Sequence, residues 1–103
     1  MTNYLLVYKG GGMPATEAEQ KAVMDAWGAW FGGLGAAVVD GGNPFGPAKT
    51  IASNGSVSDG GGAALTGYSI IDASGLDDAT AKAKGCPVLA SGGTVDVYEA
   101  MEM

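Results

Sequence analysis

Asp40 and Asp59 are the side chains whose surroundings best suit acid–base work. Each ends a short β-like run and is followed by glycines, in AAVVDGG at 36–42 and VSDGGG at 57–62. A carboxylate at a strand end beside a cleft can take a proton from a substrate. Acting alone, it must be buried to bring its pKa towards neutrality. The plainer reading of both stretches is a turn, because aspartate accepts from its own backbone and glycine supplies positive φ. VSDGGG also invites comparison with a phosphate-binding loop. Such a loop needs a helix after its glycines and a Lys-Ser/Thr pair. Here the strand-like TGYSII follows, at 66–71. Asp72 ends that strand and reads as structural. Asp96 alternates with Val95 and Val97, which places it on the sheet face away from the helices.

Other chemistries are poorly supplied. The chain has no histidine and a single cysteine, Cys86, so no zinc site within one subunit and no intrachain disulfide is expected. Asp40, Asp59 and Asp96 follow no D-x-D or EF-hand spacing, and no metal or cofactor is expected. Cys86 lacks a histidine base and precedes Pro87 at a helix end, so it reads as a buried structural thiol. Tyr8, Lys9, Trp27 and Tyr68 are the candidates for lining a ligand cavity, with Lys9 the anion contact. Trp27 reads first as core, and Lys9 as a solvated lysine.

Charge narrows the partners. The net charge is −6, and all five basic residues are lysines. Nucleic-acid binding rests on lysine and arginine neutralising phosphates, so it is not expected. No apolar stretch is long enough to span a membrane. MTNYLLVYKGGG lacks the basic start of a secretory leader, which gives a cytoplasmic expectation. The 103 residues suit one domain, 1–103.

The elements that must position these residues follow from pattern. NYLLVY at 3–8 predicts a strand. TEAE opens a helix over 16–34, with Thr16 as N-cap and Glu19 completing a capping box. Val23, Trp27, Trp30 and Leu34 share one of its faces. AAVVD at 36–40 predicts a second strand. KTIASNGSVS at 49–58 predicts a hairpin turned on Asn54-Gly55. A central strand over 66–72 follows, then a helix over 76–85 capped by Ser74, with Leu76, Ala79, Thr80 and Ala83 facing inward. GTVDVYEA at 93–100 predicts the last strand. The order is that of two βαβ units with a hairpin-bearing insertion. It predicts an α+β fold, ferredoxin-like βαββαβ, with an antiparallel sheet carrying both helices on one face. The other face, taken to hold Tyr4, Leu6, Tyr8, Tyr68 and Ile70, is too apolar for water and predicts cover by a second subunit.

The order of these pieces resembles the YCII-related proteins, in particular the DGPF-domain branch. The likeness runs from YLLVYKGG through AWGAWFGGLG and VVDGGNPFGP to the stretch VSDGGGAALTGYSIIDASGLDDATAKAKGCPVLASGGTVDVYE. It covers nearly the whole chain. Gly61 and Gly62 stand where the branch has Pro-Phe. The resemblance implies a ferredoxin-like subunit assembled as a dimeric α+β barrel, with no settled biochemical role. Some members are suspected enzymes on the strength of a histidine meeting an aspartate, and that histidine has no counterpart here. The expected function is a homodimeric small-molecule-binding or accessory module for a small organic ligand. The alternative is an enzyme of proton-transfer or lactone-type chemistry on a small organic acid, with Asp40 or Asp59 as base. A purely structural or regulatory dimer is a third reading.

Overall fold

The computed structural model describes residues 2–10, 15–60 and 65–101. Pro14 and the Gly61-Gly62 pair lie outside the described residues. The elements, in chain order, are β1 (Thr2–Lys9), α1 (Glu17–Leu34), β2 (Val38–Asp40), β3 (Lys49–Ile51), β4 (Val57–Asp59), β5 (Leu65–Ala73), α2 (Leu76–Ala83) and β6 (Thr94–Glu99). The fold is α+β, with an antiparallel sheet ordered β2-β5-β1-β6, compatible with a ferredoxin-like subunit. β3 and β4 form a separate two-stranded hairpin.

Local chemistry explains most of the element ends. Thr16 caps α1 as expected, its hydroxyl accepting from the Glu19 N–H at 3.2 Å. The Asn54-Gly55 turn is held by the Asn54 side chain, which accepts from the Ser56 N–H at 2.9 Å. Gly55 there has φ +88°, a region that favours glycine. The predicted second strand is shorter than AAVVD, because Gly35–Ala37 close a 3-10 turn after α1. Ser74 does not cap α2. Gly75 occupies that position, and the Asp78 carboxylate instead reaches back to accept from the Ser74 N–H at 3.0 Å.

The core lies between the sheet and the two helices. Tyr4, Leu6, Tyr8, Ile71 and Ala73 face Ala79 and Ala83 of α2, with Trp27, Trp30 and Leu34 of α1 packed against them. The indole N–H of Trp30 donates to the Lys82 carbonyl at 3.0 Å, tying α1 across the end of α2. Leu76 and Thr80 are exposed, so only the two alanines of the expected inward face point in. Small side chains there let α2 sit close on the sheet.

Register corrects the face assignment. Tyr4 pairs with Ile71, Leu6 with Ser69 and Tyr8 with Gly67, whereas Leu5 pairs with Ile70 and Val7 with Tyr68. Directly paired residues share a face. Tyr4, Leu6 and Tyr8 therefore point at the helices, and Tyr68 and Ile70 point the other way.

Candidate functional site

The six candidate residues fall in three places. Tyr8 and Trp27 meet on the helix side, their rings edge to face at 5.1 Å. The Tyr8 hydroxyl donates to Ser69 Oγ at 2.7 Å, and Ser69 donates in turn to the Gly41 carbonyl at 2.7 Å. Burial pushes the Tyr8 phenol well above its ordinary pKa, with the Ser69 hydrogen bond opposing in part. Cys86, also in this core and 3% exposed, has its thiol raised by burial as well. An inert thiol is what that environment produces. This chain of buried hydroxyls is satisfied and closed, and it fastens the turn after β2 to the sheet.

Lys9 and Tyr68 lie on the opposite face. The Lys9 ammonium meets the Asp96 carboxylate at 2.7 Å. The hydrogen bond to Asp96, then its charge, raises the Lys9 pKa. Asp96 reaches this place because it pairs with Val7, two residues before Lys9 on β1. Tyr68 pairs with Val7 from the other side, so Tyr68, Val7 and Asp96 form one row across the sheet. Ile70, Leu5 and Tyr98 form the next row. Val7 is only 9% exposed, crowded by its larger neighbours.

Phe45 completes an aromatic wall, stacking on Tyr68 with ring centroids 5.8 Å apart and planes at 17°. The Asn43-Pro44-Phe45 segment continues alongside β5: the Phe45 N–H donates to the Thr66 carbonyl at 2.9 Å, and the Tyr68 N–H donates to Asn43 at 3.3 Å. Gly42 makes the approach possible. Its φ is +76°, and a Cβ there would fall 1.7 Å from the Tyr68 carbonyl oxygen. Sequence reasoning missed Phe45 as a wall. The available signal was the Gly-Gly-Asn-Pro-Phe run, which permits an irregular strand but does not say where its aromatic ring lands.

Asp40 pairs with Ile70 across the β2–β5 edge and so lies at the margin of the open face, while Asp59 joins neither group. Asp40 is exposed, and its Oδ1 accepts from the Gly42 N–H at 2.8 Å, an Asx turn. Asp59 lies on the separate hairpin with a side chain 92% exposed, paired with Lys49 at 2.8 Å. Both carboxylates stand open to solvent. Among the described residues, no group of three His, Cys, Asp or Glu is arranged to hold a metal ion.

The open face can therefore do one kind of chemistry well. Its aliphatic floor, its stacked ring pair and one neutralised ion pair suit an apolar or aromatic molecule carrying a polar group. At its β6 edge the surface bends into an open groove of about 470 Å³ between β6 and α2, lined by Leu76, Thr80, Val95, Asp96, Val97 and Tyr98. Among the described residues, no helix is long and apolar enough to cross a membrane. No protein-family model matches the chain, and no curated protein matches its sequence.

Proposed function

We propose that this chain is a YCII-related subunit of the DGPF type. On this reading it works as a homodimer in the cytoplasm, with two open sheet faces packed as a dimeric α+β barrel around a small organic ligand. Its role is binding or accessory. The observation that carries this reading is the Lys9–Asp96 ion pair standing beside the Phe45–Tyr68 stack, on the sheet face opposite both helices. A sheet face carrying Leu5, Val7, Ile70 and two tyrosines gains from being covered. A ligand held there would meet rings on one side and an ammonium on the other. No observation favours the alternative of an aspartate base, since Asp40 and Asp59 are spent on a turn and on an exposed ion pair.

The probe that tests the ligand reading is anilinonaphthalene sulfonate, which joins fused rings to an anion. Its fluorescence should rise on adding the protein, and Phe45→Ala and Lys9→Met should each weaken that binding. Binding that neither substitution alters would place the probe elsewhere and overturn the assignment of this face.

A further inference from the structure

Among the described residues, the β3–β4 hairpin stands apart from the main sheet with little packed against it. Every residue from 48 to 59 is exposed. Ile51 and Val57 are direct cross-strand partners, so their side chains share one face, and they are 72% and 62% exposed. An isolated two-stranded hairpin is marginal in water and needs something to pack on.

The dimensions of the chain point the same way. Its radius of gyration is 15.0 Å, against about 13 Å for a compact chain of this length. Its accessible surface is 6673 Å², against about 5,300 Å² for a compact monomer of 10.2 kDa. The excess, on the order of 1,300 Å², exceeds the roughly 800 Å² that each partner buries in a standard interface. Charge also favours a second copy at this segment. The chain carries −6, but the hairpin is neutral because Lys49 is paired with Asp59.

We propose that the hairpin is an arm. Ile51 and Val57 of one copy seat in the groove between α2 and β6 of a second copy of this chain, and the second copy returns the contact. The groove offers Leu76 and Tyr98, 53% and 55% exposed, as the apolar surface to be covered. It shares Asp96 and Tyr98 with the open sheet face, so an arm lying in it extends the contact that face makes. A twofold assembly makes such an exchange reciprocal. The arm rests on the self-association proposed above and adds to it the segment that clamps the pair.

Two measurements on the full chain separate the arm from the dimer. Val57→Cys and Leu76→Cys variants are mixed and treated with oxidised glutathione, with Cys86 too buried to compete. Mass spectrometry should find a 57–76 disulfide joining two chains. The double variant Ile51→Thr, Val57→Thr should keep its circular dichroism while its dimer dissociation constant rises about tenfold or more, as expected for removing central apolar anchors. A wild-type dimer that the double variant matches, with no 57–76 link, overturns the arm and leaves the dimer standing. A wild-type chain that is monomeric at micromolar concentration overturns both.

Discussion

The two faces of the sheet are built from alternate residues of the same strands, yet they are organised on different terms. On the helix side, among the described residues, the buried side-chain polar atoms are answered from within the chain: Tyr8 to Ser69, Ser69 to Gly41, Trp30 to Lys82. On the open side the ion pair and the ring stack remain at the surface, between half-buried aliphatics. The first arrangement holds the fold together. The second leaves rings and aliphatic side chains partly open to solvent. The difference teaches that residue type alone does not mark a site here. Tyr8 and Tyr68 are alike in the sequence, and register sends one to the core and the other to the open face.

That contrast is tested most heavily in the core. Leu6→Ala and Ile71→Ala, both at fully buried positions, should each lower stability by about 2–5 kcal/mol in urea unfolding. Ile70→Ala, on the other face, should cost clearly less at dilutions where the chain is monomeric. Equal losses would erase the distinction between the faces. Next in size is Ser69→Ala. It leaves the Tyr8 hydroxyl and the Gly41 carbonyl unanswered, which should cost about 1–3 kcal/mol.

Smaller effects belong to the open face. Asp96→Asn should barely move the unfolding midpoint at neutral pH, because the pair is partly exposed and screened by solvent. Its signature is in pH. The Lys9 pKa is raised in the folded chain, so the contribution of the pair is present below the ordinary value of 10.5 and is lost as pH rises through the higher folded value. Wild type should therefore lose some stability at strongly alkaline pH that Asp96→Asn does not. The smallest effect is expected from Asp59→Asn, whose thermal midpoint should match wild type, because the side chain is almost fully exposed. A large change there would show that this carboxylate does something the exposed ion pair does not account for.

Much of the fold was legible in the chain. The Thr16 N-cap of α1, the Asn54-Gly55 hairpin and the strand over TVDVYE each rest on a local signal, and each appears where expected. What was not legible depends on contacts distant in sequence. Strand pairing decides which face Tyr8 occupies, and NYLLVY is apolar on both sides, so its own pattern is silent. The inward face of α2 was misjudged because close packing selected alanines over Leu76. Ser74 was visible as a capping type, but the side-chain acceptor at the start of α2 is Asp78, which reaches back to the Ser74 N–H. For the candidate site, Tyr8 was grouped with Tyr68 on the open face and register moved it to the core, leaving Lys9 and Tyr68 there. Their partners Asp96 and Phe45 were set by register and by an irregular loop.

The central claim is that the open face is covered by a second copy. Light scattering of wild type and Ile70→Glu at matched micromolar concentration tests it most directly. The account predicts twice the 10.2 kDa chain mass for wild type and a single chain mass for the variant, with the circular dichroism of the two alike. A wild-type mass of one chain, or a variant that remains a dimer, would contradict it.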